Sequence, residues 1–151
     1  MEKIDELDRK ILRIITQNAR MPFKDVAEQC GVSRAAIHQR VQKMFDNGVI
    51  IGSGYQVNPN MLGYSMCVLV GLELTNGMLN EPVVEALKEI PEVVDEYYTL
   101  GAYALLIKMY AKDNKDLMRL LNTVQCIDGV AKTETLTCLD QGIGRTVPIE
   151  S

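Results

Sequence analysis

FKDVAEQCGVSRAAIHQRVQ, Phe23 to Gln42, is the most informative stretch of this chain. Apolar residues recur at Phe23, Val26, Ala27 and Cys30, which puts them on one face of a short helix. Gly31 interrupts the pattern, and glycine permits the sharp turn that must follow. Ser33 then serves as a helix N-cap, its hydroxyl accepting from a backbone N–H of the next turn. The second helix carries Ala36, Ile37, Val41, Met44 and Phe45 on its buried face. Two short amphipathic helices joined by a tight glycine turn predict a helix-turn-helix. The exposed face holds Arg34, His38, Gln39, Gln42 and Lys43, side chains suited to base edges and phosphates.

Upstream, Ile4, Leu7, Ile11, Ile14 and Ile15 form a helical stripe. The carboxylates of Asp5, Glu6 and Asp8 suit its first turn, where the helix dipole is positive. Residues 18–22 end that helix, and Pro22 fits the first turn of the next. Downstream, Gly48 is expected to close the third helix in a left-handed conformation. Val49–Ile51 and Tyr55–Val57, joined by Gly52-Ser53-Gly54, then predict a short hairpin or wing. Asn58-Pro59 stops it. The domain boundary is expected at residues 55–62. This gives a first domain over 1–60, including a linker strand, and a second over 61–151.

The second half repeats itself. A strand over Gly63–Leu74 places Met66, Val68, Val70, Leu72 and Leu74 on one face. A helix over Asn80–Ile90, with Pro82 in its first turn, and a strand over Val93–Leu100 follow. The order recurs as strand Ala104–Ala111, helix Asn114–Gln125 and strand Val130–Leu139. This β-α-β-β-α-β pattern is the ferredoxin-like split βαβ arrangement, so the fold class is α+β. Both helices must cover one sheet face. The other face also carries apolar residues: Cys67 and Leu69, with either Ala104 and Leu106 or Leu105, Ile107 and Met109. Such a face needs a cover, most simply a second copy in a two-fold dimer.

Composition narrows the function classes. With 47% hydrophobic and 24% charged residues, the chain is of ordinary globular type. No apolar run is long enough for a membrane span, so no membrane partner is expected. Met1 to Arg9 is charged and lacks a secretory core. Cys30, Cys67, Cys126 and Cys138 match neither a disulfide framework nor a zinc site, and His38 is the single histidine. Each cysteine lies in an apolar stretch, which predicts reduced core thiols and a cytoplasmic protein. The net charge of −4 is unevenly placed, +2 over residues 1–50 and −6 over the rest. Arg20, Lys24, Arg34, Arg40 and Lys43 outnumber Asp25 and Glu28 around the helix-turn-helix. Local charge governs counterion displacement from phosphates. No nucleophile elbow, phosphate loop or metal-ligand cluster is present. Glu134 and Asp140 do not form a carboxylate pair, and no catalytic residue is assigned.

Several stretches together resemble the leucine-responsive and asparagine-synthetase regulator family (Lrp/AsnC, the feast/famine regulators). They are LDRKIL (7–12), NAR (18–20), DVAEQCGVSRAAIHQRVQKM (25–44), GVIIGS (48–53), NPNMLGY (58–64), YYTLGAYALLIKM (97–109) and KTETL (132–136). The resemblance covers nearly the whole chain and leans to the asparagine branch. It implies a winged helix-turn-helix on double-stranded operator DNA, and a ferredoxin-like domain that oligomerises and binds an amino acid. It further implies homodimers that assemble into octamers. No cofactor is expected beyond that amino-acid effector. The expected DNA-facing set is Ser33, Arg34, Ala35, His38, Gln39, Arg40, Gln42 and Lys43. Arg34, His38 and Gln39 reach base edges, while Ser33, Gln42 and Lys43 touch phosphates. Arg40 has a structural alternative, an ion pair with Asp46 or an acid of the first helix. The resemblance places the effector at the turn Thr99, Leu100, Gly101, Ala102, Tyr103 and Ala104, with Thr133 and Thr135 adding hydroxyls from the last strand. Against this stand a plain hairpin and threonines selected for strand propensity. Many family members carry Asp where this chain has Ala104, so no acidic contact to a ligand ammonium arises there. Three functions fit: an effector-responsive transcription regulator, a ligand-independent architectural DNA-binding protein, or an amino-acid-sensing subunit docked on an enzyme.

Overall fold

The computed structural model describes residues 4–76 and 80–150, so the first three residues of the charged N-terminal stretch lie outside it. The chain divides into two compact units. The first runs to Gln56 and takes in the segment from Arg145; the second is Val57–Gly144.

In the first unit, helix α1 (Glu6–Gln17) starts two residues later than the apolar stripe suggests, because Asp5 caps it. The Asp8 N–H donates to Asp5 Oδ1 at 2.9 Å and the Asp5 N–H to Asp8 Oδ2 at 3.1 Å, a reciprocal capping box. Helix α2 (Phe23–Cys30) follows with Pro22 at its N-cap rather than inside the first turn. Gly31 holds φ +68°, the left-handed conformation the turn requires. Helix α3 (Arg34–Asp46) is capped by Ser33, whose Oγ accepts from the Ala36 N–H at 3.1 Å.

Ile11, Leu12, Val26, Ala27, Ile37, Val41 and Met44 form the core of this unit. Ile37, Val41 and Met44 recur at helical spacing and leave Phe45 at the flank of the stripe. Phe45 is 40% exposed, against the expectation of burial. Half-buried Ile149 packs on the same core. Arg13 Nε donates to the Ile149 carbonyl at 2.9 Å and Arg9 to that of Glu150, fixing the returning segment on α1.

The expected hairpin or wing over Val49–Val57 is not formed: residues 51–58 contain no strand. The Val49 and Ile50 N–H groups both donate to the Met44 carbonyl, closing α3 instead of entering a ladder. Ile51 is 97% exposed, with no neighbouring strand to pair it.

The second unit begins with a 3₁₀ turn at Pro59–Leu62. It continues as β1 (Met66–Leu74), α4 (Asn80–Lys88), β2 (Val93–Tyr98), β3 (Leu105–Ala111), α5 (Asn114–Gln125) and β4 (Val130–Cys138). The antiparallel sheet has the order β2-β3-β1-β4, so the βαββαβ expectation holds. Val68, Val70 and Leu72 of β1 and Leu105, Ile107 and Met109 of β3 are fully buried under Val83 and Leu87 of α4 and Leu120 and Val124 of α5. That settles the two alternatives left open for β3.

The outer face therefore presents Cys67, Leu69 and Gly71 from β1 and Leu106, Lys108 and Tyr110 from β3. Leu136 and Cys138 join them from β4. This face is less apolar than expected, since Lys108 and Glu134 share it. All four cysteines are free, but only Cys30, Cys67 and Cys138 are half-buried; Cys126, just past the end of α5, is exposed and not a core thiol. Cys67 and Cys138 face each other across β1 and β4, and burial together with that neighbour pushes the Cys67 thiol up. No helix among the described residues is long and apolar enough to cross a membrane.

Candidate nucleic-acid interface and ligand turn

The exposed side of α3 is defined by what anchors its opposite side. With Ile37, Val41 and Met44 buried, Arg34, Ala35, His38, Gln39, Gln42 and Lys43 are all exposed. Arg34, Ala35, His38 and Gln39 lie in the first two turns, where a recognition helix meets base edges. His38 is steadied by Phe23 of α2, ring centroids 4.6 Å apart and edge-on at 81°. Gln42 Nε2 donates to Asp46 Oδ1 at 2.9 Å, which turns Gln42 along its own helix. Ser33 is exposed, with its hydroxyl engaged as the N-cap.

Arg40 takes its structural alternative, with acids of the first helix segment rather than Asp46. Its guanidinium donates to Asp5 and, at 3.2 Å, to Asp8, tying α3 to the capping box of α1. The hydrogen bond from Arg40, helped by the Asp8 backbone N–H, holds the Asp5 carboxyl at about 2 instead of 3.8. The same partners raise the Arg40 pKa. Asp8 is buried, so Arg40 also neutralises a carboxylate withdrawn from water.

A further cation was not legible as a partner from sequence. Arg20 stacks over the Tyr55 ring, 4.9 Å from its centroid, and donates to its hydroxyl. The two residues are 35 apart, and no local pattern links them.

In the second unit, Thr99–Ala104 joins β2 to β3. The Thr99 hydroxyl donates to the Tyr103 carbonyl at 2.7 Å, the Thr99 N–H to the Ala104 carbonyl at 3.0 Å, and the Ala104 N–H to the Leu72 carbonyl at 3.0 Å. Leu100, Gly101 and Ala102 form an exposed tip, with Gly101 at φ +157°. Tyr103 lies against β1 at Gly71, a contact that no sequence pattern announced. Thr133 and Thr135 are not brought to the side of the turn that carries Tyr103. They pair with Leu72 and Val70, whose side chains face the helices, so both threonines lie on the helix-covered face. Gln125 at the end of α5 donates to Thr133 Oγ1 at 2.9 Å.

The geometry agrees with known proteins. Residues 4–44 match the AsnC-type helix-turn-helix domain and residues 66–147 the Lrp/AsnC ligand binding domain. The chain is 38% identical over 148 residues to regulatory protein AsnC of Haemophilus influenzae, covering 97% of this chain and 99% of that one. The solved structure of Escherichia coli AsnC superposes with a TM-score of 0.91 at 37% identity, covering 97% of this chain and 99% of that one. A feast or famine regulatory protein from M. tuberculosis, complexed with L-methionine, has the same fold, with a TM-score of 0.91 at 21% identity over 98% of this chain and 100% of that one.

The Asp5–Arg40 pair yields a test with a defined sign. A carboxyl whose folded pKa lies below its unfolded value adds stability above 3.8, and that stability is lost as pH falls toward about 2. Asp5→Asn keeps a capping side chain but removes the charge. Thermal melts across this range should therefore drop more steeply for the wild type than for Asp5→Asn. Parallel slopes would mean that the pair contributes nothing to acid sensitivity.

Proposed function

The chain belongs to the Lrp/AsnC family of transcription regulators, and from that premise we propose that it reads operator DNA with α3 and adjusts binding or assembly to an amino acid held at the 99–104 turn. The observation that carries the DNA reading is the split of α3 into an anchored face and an exposed one. Arg34 and Gln39 supply the donor and acceptor patterns that pair with guanine and adenine in the major groove. Lys43, a turn further along, suits a phosphate. Arg40 contributes indirectly, by fixing α3 on α1.

The ligand reading rests on the family and on the turn. A zwitterion needs donors for its carboxylate and acceptors for its ammonium. An exposed Gly101-Ala102 tip lets backbone N–H groups approach the carboxylate. Asparagine is the first candidate because the sequence leans to that branch, and L-methionine the second because a regulator of this fold was solved with it. With Thr133 and Thr135 on the opposite face, backbone carbonyls of the turn serve the ammonium.

The outer sheet face supports a two-fold dimer. It is half apolar, with Leu136 57% exposed, and its polar residues Lys108 and Glu134 are of opposite sign. A second copy covers such a face by self-complementarity, and octamers are built from those dimers.

Three measurements test these readings. Arg34→Ala or Gln39→Ala should weaken specific operator binding by about 1–3 kcal/mol and relax base preference. Lys43→Ala should weaken all sequences alike and flatten the salt dependence by about one ion. Unchanged operator affinity in Arg34→Ala would misplace the reading face. For the ligand, calorimetric titration with asparagine and L-methionine should give heat with the wild type and none with Gly101→Val, whose β-branched side chain disfavours the φ of +157°. Equal binding by both proteins would remove the turn from the site. For assembly, Leu69→Asp inserts a charge into the covered face and should halve the dimer's mass by light scattering. An unchanged mass would exclude Leu69 from the interface.

A further inference from the structure

We propose that Gly71 is a positioning residue for the amino-acid turn: it leaves bare backbone on β1 as the seat of the Tyr103 ring, and that seat fixes the 99–104 loop on the sheet. The inference deepens the ligand reading above and rests on it. Gly71 lies in the middle of β1 between fully buried Val70 and Leu72. Glycine weakens a strand interior, so its presence there calls for a reason. Backbone conformation is not that reason, since Gly71 does not have a positive φ.

Space is the reason. A Cβ built on Gly71 would stand 2.7 Å from both Cγ and Cδ2 of Tyr103 and 3.1 Å from Cδ1. These are atoms of the near half of the ring, not the tip of a flexible chain. A methyl group at residue 71 therefore unseats the Tyr103 ring and strains the backbone that carries it. That backbone is the inner wall of the turn, because the Tyr103 carbonyl receives the Thr99 hydroxyl and the next residue is bonded to both Thr99 and Leu72. Three hydrogen bonds and the seated ring hold the turn, and only its 100–102 tip projects. A loop ordered before the ligand arrives spares binding the cost of ordering it.

The test uses the full-length protein with Gly71→Ala, Tyr103→Ala and the double variant, titrated with asparagine and with L-methionine. Amide hydrogen exchange over 99–104 is followed without ligand. Freeing even one residue of the turn costs on the order of tenfold in affinity, and Gly71→Ala should show that loss. Its exchange at 99–104 should quicken, and dimer mass is followed alongside so that an affinity loss from altered assembly at this face is told apart from one at the turn. The double variant should bind no worse than Tyr103→Ala alone, since both changes act through one contact. Additive losses, or wild-type affinity and exchange in Gly71→Ala, would overturn the proposal. If the wild type binds neither amino acid, the ligand reading fails separately, and the exchange rates still decide the seat. Should Gly71→Ala not fold, Tyr103→Leu removes the ring without adding to the strand. Faster exchange at 99–104 in that variant supports the seat, and an unchanged rate overturns it.

Discussion

Strand β1 is hydrogen-bonded on both sides, to β3 and to β4, and the second unit depends on that double pairing. A central strand cannot shift its register without breaking two ladders and turning Val68, Val70 and Leu72 away from the helices. With β1 fixed, α4 and α5 must both lie on the face those residues define. The opposite face is then left to Cys67, Leu69 and Gly71. The proposed ligand turn and the proposed dimer surface both depend on this face, the first through Tyr103 and the second through Leu69. One strand thus sets what is core, what is surface and where the 99–104 turn comes to rest.

The first unit is organised differently. Its three helices are short, and helices of this length are marginal without packing. Capping and ion pairing do much of the positioning: Asp5 and Asp8 start α1, Ser33 starts α3, and Arg40, midway along α3, ties that helix to the start of α1. The result is a rigid platform under Arg34 and Gln39. Holding the side chains proposed to read DNA on an anchored helix limits the conformational freedom they would lose there.

Much of this was legible in the chain. Period-two alternation identified the face of β1 that is buried, and the Gly31 and Ser33 signals located the turn and cap of the helix-turn-helix. What escaped was non-local. The wing strand failed because Val49 and Ile50 spend their N–H groups on α3, a use no local pattern reveals. Strand β3 is apolar at successive positions, so only its partner in the sheet decides that Leu105, Ile107 and Met109 face inward. Threonines at 133 and 135 alternate correctly, yet alternation gives a period and not a side. The pairing of Arg40 with an acid of the first helix segment was among the alternatives the chain offered, but the seat of Tyr103 on Gly71 was not.

Ile149 completes the first core although it follows the whole of the second unit in the chain. During synthesis that position stays vacant until the entire sheet has been made, so the DNA-binding unit cannot reach its final packing before then. The two units are likewise not interchangeable cassettes. A chimera joined only at residue 57 would exchange the sheet and also replace the segment clasped by Arg9 and Arg13. A graft that preserves the native platform for α3 must be joined twice, once on either side of the second unit.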